Sequence, residues 1–250
     1  EIADLDGDDA LDVVGLVERA RKPKVFVNDG SGGFSKSKNV PSPPSAVGTG
    51  VGLVDLAVGD FDGSGGMDVV GLFQGNHAVV YTGLGSGSTS ATHVALDPQN
   101  DGAKFEFVSA GSLEKGDGGD DFAVASKRRE PDDGLPIQPE VLVYENTDSG
   151  WTKYYSAKSN SSVSDLMMAD VTFDGRADLL VGSTFWRHSF QQRKTYEQCN
   201  GSCRTQLGWS KVDKTIDGFT RARVTDDAAP ELVVMHDHFE FTVLKPSCEE

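Results

Sequence analysis

The sequence predicts an all-β fold built from about five copies of one four-stranded unit, and three observations predict it. Glycine, at 29 of 250 residues, is crowded by Ser, Asp, Thr and Asn, the composition of a chain that turns often. The segments between turns are short and rich in Val, Leu and Phe, and none sustains the i, i+3, i+4, i+7 apolar spacing of a helix. An acid leading an apolar run then recurs five times, at Asp12-Val13-Val14, Asp68-Val69-Val70, Asp121-Phe122-Ala123-Val124, Asp178-Leu179-Leu180-Val181 and Glu231-Leu232-Val233-Val234. The spacings are 56, 53, 57 and 53 residues, a regularity expected of repeats rather than chance. Helix content is expected to be small.

Two further registers fill in the unit. Lys24-Val25-Phe26-Val27, Ala78-Val79-Val80-Tyr81, Glu140-Val141-Leu142-Val143-Tyr144 and Phe239-Glu240-Phe241-Thr242-Val243 each follow an acid-led run. Gly33-Phe34-Ser35-Lys36, Gly150-Trp151-Thr152-Lys153 and Gly208-Trp209-Ser210-Lys211 come later still. Each unit therefore reads as one strand before an acidic loop, one after it, a Val-rich third, and a fourth led by glycine and an aromatic residue. Four strands in a repeat of this length is the pattern of a β-propeller blade, in which radial packing buries what one sheet cannot. A β-sandwich also spaces its strands evenly, but the double periodicity favours the propeller. The whole chain, 1–250, reads as one domain with repeats at roughly 1–50, 51–103, 104–160, 161–215 and 216–250. Only three residues precede Asp4, and the last repeat has no clear fourth strand, so a five-bladed ring and a piece of a longer chain both fit.

The acidic loops between first and second strands carry the candidate chemistry. The first, Asp4-Leu5-Asp6-Gly7-Asp8-Asp9-Ala10-Leu11-Asp12, sets carboxylates at loop positions one, three, five and nine. Alternating carboxylates in a tight turn can aim oxygens at one centre, which suits calcium with its six to eight oxygen ligands. The second loop keeps the frame with Asp60, Asp62, Ser64 and Asp68, and the fourth with Asp170, Thr172, Asp174 and Asp178. The position-seven carbonyls of Ala10, Gly66 and Arg176 are further candidate ligands. Counted the same way, the third loop offers Asp117 but also Lys115 and Leu113, and the fifth Asp227 and Thr225 but also Arg223. Those two are expected to be metal-free or weak. An EF-hand would need flanking helices and a Glu at position twelve, where this chain has Gly15, Gly71 and Val181.

These loops with their flanks (Ala3-Asp4-Leu5-Asp6-Gly7-Asp8, Val58-Gly59-Asp60-Phe61-Asp62-Gly63, Met168-Ala169-Asp170-Val171), and the third-strand ending Phe26-Val27-Asn28-Asp29-Gly30-Ser31-Gly32-Gly33-Phe34, resemble FG-GAP/VCBS repeats. Such repeats build the calcium-bearing propellers of integrin α-subunits, several lectins, and non-catalytic parts of some extracellular polysaccharide-active enzymes. The resemblance is strong in units one, two and four and degraded in three and five. It implies the fold, calcium and an extracytoplasmic setting, and leaves the ligand open.

Other features narrow the function class. Against 39 acidic residues stand 23 basic ones, a net charge of −16 with no long basic block, which disfavours nucleic acid. No apolar stretch approaches the roughly 20 residues of a membrane-spanning helix. Cys199, Cys203 and Cys248 leave one thiol over however they pair, and Asn160 and Asn200 open glycosylation sequons. No nucleophile elbow, zinc-protease helix or phosphate loop is present, so catalysis within the chain is not expected. Trp151 and Trp209, in the repeated glycine-aromatic position, read as core residues. Trp186, with Arg187 and His188 in an irregular insertion, is the candidate for touching a ligand. The reading is a secreted or cell-surface calcium-binding module for recognition, adhesion or assembly, with a glycan, an extracellular protein, or further blades or chains as partner. The alternative is the non-catalytic propeller of an extracellular carbohydrate-active enzyme.

Overall fold

In the computed structural model, described over residues 1–17, 21–36, 40–84, 88–99, 102–113, 119–127, 137–158, 162–170, 175–183, 216–222, 231–236 and 240–244, the chain forms antiparallel sheets in sequence order. The first contains β1 (Ile2–Ala3), β2 (Asp12–Gly15), β3 (Lys24–Asn28) and β4 (Phe34–Lys36). The second contains β5 (Leu53–Gly59), β6 (Asp68–Phe73), β7 (His77–Thr82) and β8 (Ser90–Ala95). The third contains β9 (Phe105–Gly111), β10 (Asp121–Ser126), β11 (Glu140–Thr147) and β12 (Gly150–Lys158). In each, the strands neighbour one another in chain order. The fourth sheet pairs β13 (Val163–Ala169) with β14 (Asp178–Ser183), and the fifth contains β15 (Ile216–Ala222), β16 (Glu231–His236) and β17 (Glu240–Leu244). One 3-10 turn, Ser45–Val47, is the helical structure among the described residues. The fourth strands expected of the last two units fall in 184–215 and after 244, outside the described residues.

The periodic acid occupies the same register in all five sheets. Asp12 lies opposite Ala3, Asp68 opposite Gly59, Asp121 opposite Gly111, Asp178 opposite Ala169, and Glu231 opposite Ala222. Because side chains alternate across a strand, this common register sorts the following residues onto two faces. The first residue after the acid packs toward the preceding sheet: Val69 with Val14 and Val25, Phe122 with Val70 and Leu72, and Leu179 with Ala123. The second residue, Val70 in one sheet and Ala123 in the next, packs toward the following sheet. The second and third sheets are thus apolar on both faces, and β6 and β10 are buried along their whole lengths.

First strands of successive sheets lie side by side: β5 against β9, β9 against β13, and β13 against β15. They line an open cavity of about 700 Å³, bounded among others by Glu1, Asp55, Ser109, Asp165, Met168 and Thr220. Close approach explains the glycines that end β5 and β9. A Cβ on Gly59 would lie 2.9 Å from Asp120 Oδ2, and one on Gly111 would lie 2.8 Å from the Ala177 Cβ.

Asp55 reaches across this seam, where its Oδ2 accepts the Val108 N–H at 2.9 Å. Burial pushes its carboxyl above the usual range; the Val108 and Leu56 amides oppose this, and the charges of Glu1 and Asp165 add to it. A folded-state pKa raised above the unfolded value of about 3.8 means that the native state holds the extra proton. This group's contribution is therefore most favourable at low pH, and it weakens as pH rises from about 3.8 through the raised value. Asp55→Asn keeps an acceptor for Val108 and carries no charge. Denaturant unfolding should show it gaining stability relative to the parent at pH 7 and losing that advantage near pH 3.5. An advantage that does not vary with pH would remove this account.

Two tyrosines in one register differ in a testable way. Tyr81 faces Val69 across its sheet as Tyr144 faces Phe122, and both are buried. The Tyr144 hydroxyl accepts the Asp97 N–H at 2.8 Å, whereas the Tyr81 hydroxyl has no hydrogen-bond partner among the described residues. An unsatisfied buried hydroxyl costs about 1–3 kcal/mol. Tyr81→Phe should therefore raise the melting temperature and Tyr144→Phe lower it.

Candidate metal centres of the acidic loops

The first two acidic loops are each organised by two carboxylates with different tasks, and the third and fourth each show one of them. The ninth-position acid is a buried staple. Asp12 Oδ2 accepts the Leu5 N–H at 2.9 Å and its Oδ1 the Asn28 N–H at 2.8 Å. Asp68 does the same for Phe61 at 3.1 Å and Gly83 at 2.9 Å, and Asp121 for Leu113 and Asn146, both at 2.8 Å. One side chain thus ties loop position two to the end of the third strand, satisfying two amides that the sheet ladder leaves free. The first-position acid folds the turn itself. Asp4 Oδ2 accepts the Asp9 N–H, Asp60 Oδ2 that of Gly65, and Asp170 Oδ2 that of Gly175, each at 2.9 Å. The donors share position six and a positive φ of 68°, 87° and 86°.

Carboxylates of the first two loops converge. Asp4, Asp6 and Asp8 each present an oxygen within 4.8 Å of the others, and Asp60, Asp62 and Asp68 form a second such group. In the first, Asp6 Oδ1 is buried without a hydrogen-bond partner among the described residues. Burial pushes the Asp6 carboxyl above the usual range, and the charges of Asp8, Asp12 and Asp4 push it further. Burial acts on Asp4 in the same sense but is outweighed by the amides of Asp9, Gly7, Asp8 and Asp6, which hold it low. In the second, burial drives Asp68 up to about 6; the Gly83 and Phe61 amides oppose this, while Asp62 and Asp60 add to it. Ser64 lies at the exposed turn, where its N–H donates to both Asp60 Oδ1 and Asp62 Oδ1 at 3.0 Å. Position seven follows suit: the Ala10 N–H donates to Asp8 Oδ1 at 2.8 Å, and the Gly66 N–H to Ser64 Oγ at 3.4 Å.

The loops are also joined to one another. The residue before each of Asp68, Asp121 and Asp178 donates its N–H to the position-one carbonyl of the preceding loop: Met67 to Asp4 at 3.1 Å, Asp120 to Asp60 at 2.7 Å, and Ala177 to Ser112 at 2.6 Å. Asp120 closes a reciprocal pair by accepting the Asp60 N–H on its Oδ2 at 2.9 Å. This series corrects the frame of the third loop. Counting back eight residues from Asp121 puts Leu113 at position one, but Leu113 makes the position-two bond to the staple and Ser112 the position-one bond to the next loop. The third loop is one residue longer and has a serine where the others have their turn-forming aspartate.

Of the other sequence-predicted residues, Asp170, Arg176 and Asp178 lie in the fourth loop, and Asp178 is buried opposite Ala169. Thr172 and Asp174 lie outside the described residues, as do Trp186, Arg187, His188, Trp209, Cys199, Cys203, Cys248, Asn160 and Asn200. Trp151 packs against the core, its ring 4.9 Å from that of Phe122 and 5.8 Å from that of Phe61. Sequence reasoning took the ninth-position acids as metal ligands and missed their stapling task. The signal was present, because Asp121 keeps this residue in a loop that lacks the rest of the frame.

Residues 4–71 match the FG-GAP-like repeat family. No curated protein matches the chain. Among solved structures, it is similar to the rhamnogalacturonan lyase YesW at 11% identity and a TM-score of 0.46, covering 99% of this chain and 48% of the lyase. The chain therefore spans about half the length of that protein. It is also similar to BBS1N in complex with ARL6DN, at 11% identity and a TM-score of 0.41 in a mercury-soaked crystal, covering 99% of this chain and 90% of the other. A lead-soaked crystal of the same complex gives 10% identity and 0.36.

Proposed function

We propose that this chain, which carries an FG-GAP-like repeat over residues 4–71, is a calcium-binding propeller module of the extracellular space that recognises a glycan or protein partner through its loops. The observation that carries the reading is the buried, unpartnered Asp6 Oδ1 set between Asp4 and Asp8. A buried carboxylate oxygen without a donor is costly, and a hard cation relieves that cost for all three acids at once. Asp4, Asp6, Asp8 and Asp12, with the Ala10 carbonyl, would hold one ion; Asp60, Asp62, Ser64, Asp68 and the Gly66 carbonyl a second; Asp170, Thr172, Asp174, Asp178 and the Arg176 carbonyl a third.

Calcium supplies positive charge here and no reaction. The protein does the rest: staples fix the first three loops to their sheets, and the amide-to-carbonyl series passes loop order from one sheet to the next. The module works by holding loops still, so that a partner meets a preformed surface and little ordering entropy is lost on binding. No helix of the described residues is long and apolar enough to cross a membrane.

Native mass spectrometry with increasing calcium, followed by glycan-array and extracellular-protein binding with and without chelator, tests the reading. About three bound ions and partner binding that chelation abolishes are expected. Absence of calcium binding at millimolar concentration would sink it.

A further inference from the structure

Away from the acidic loops, two imidazoles meet on the outer part of the second sheet. His77 opens β7 opposite Ala95, and His93 lies in β8 opposite Val79, so the two are diagonal neighbours across one strand pair. His77 Nδ1 lies 2.9 Å from His93 Nε2, with ring centroids 5.0 Å apart and planes tilted by 49°. Both side chains are half-buried, with a solvent-facing side. We propose that His77 and His93 form a two-nitrogen chelate for a divalent transition-metal ion of the zinc and copper class.

The geometry needs little change. A metal–nitrogen distance of about 2.0–2.1 Å places two nitrogens on one ion roughly 2.9–3.3 Å apart. The rings already stand at the short end of that range and have only to turn their lone pairs toward a common point. One facing nitrogen now carries the hydrogen of the N–H···N bond. On metal binding that hydrogen moves through solvent to the distal nitrogen of the same ring, so both rings stay neutral and no net proton is released. Burial, followed by the neighbouring imidazole of His77, lowers the His93 pKa, which favours the neutral form that a metal requires. Water completes the coordination on the open side.

The donor set separates this site from the acidic loops, since imidazole suits zinc, copper and nickel while carboxylate and carbonyl oxygens suit calcium. The consequence is local. Among the described residues, β8 is the last strand of its sheet and pairs with β7. A bound ion would fasten that edge strand to its neighbour.

The test is calorimetric titration of zinc alone into the whole chain, in buffer holding millimolar calcium so that the acidic loops do not compete. One ion with micromolar affinity is expected, weakened at least tenfold in His77→Ala and in His93→Ala. His93→Gln retains a hydrogen-bonding side chain and should lose zinc equally, and circular dichroism checks that each variant is folded. Copper added to the parent should give an electron paramagnetic spectrum with two nitrogen couplings. Zinc affinity unchanged by these substitutions, or none below millimolar, would overturn the assignment.

Discussion

Asp121→Ala is expected to destabilise the chain by about 3–5 kcal/mol, enough to consume much of the stability of an ordinary domain. The carboxylate is fully buried and accepts two amides, from Leu113 and Asn146. Alanine leaves both donors without a partner in a site that water does not reach, and each loss is worth about 1–3 kcal/mol. A small void adds to this. The third loop has no aspartate at position one and is expected to hold metal weakly or not at all, so the loss should be the same with calcium or chelator present. Asp62→Ala is the control. Asp62 is exposed and accepts the Ser64 amide at its own turn, so its removal should leave unfolding in chelator unchanged. Denaturant unfolding followed by circular dichroism makes the comparison. Equal, small effects of the two substitutions would show that the staple does not hold the loop to the sheet.

The contrast explains what was legible in the sequence. The recurring acid was visible because it is both periodic and followed by an apolar run, and its five copies lie at one register position in five sheets. Strand order was visible for a related reason: short segments between turns leave neighbouring strands little choice but to pair antiparallel. What an acid does at its position was not visible. Asp6 and Asp12 have the same chemistry and belong to one loop, yet one keeps a bare buried oxygen and the other has both oxygens filled by amides. That difference arises from amides of residues 5 and 28, and spacing along the chain does not encode it. The inserted residue of the third loop was hidden likewise, because its register is fixed by the Ala177–Ser112 bond to the next loop rather than by local sequence. The meeting of His77 and His93 depends on strand register alone.

Removal of calcium is expected to lower the melting temperature by roughly 15–30 °C. An ion that binds only the native state adds about 2.7 kcal/mol at a hundred times its dissociation constant, so three filled sites add roughly 8 kcal/mol. For a chain of this length each kcal/mol moves the midpoint by about 2–4 °C. Screening is a competing explanation, since the chain carries a net charge of −16 and salt alone relieves repulsion among exposed carboxylates. Sodium chloride at matched ionic strength should recover only a small part of the shift, and magnesium little more, because it dehydrates reluctantly and demands stricter geometry. Asp62→Ala then divides the effect by site: harmless in chelator, it should remove the second loop's share of the calcium shift. The share can exceed one site's worth. Asp60 of that loop exchanges two hydrogen bonds with Asp120 of the third, so order lost in one turn reaches the next. A midpoint that chelator does not move would leave the acidic loops as turns and nothing more.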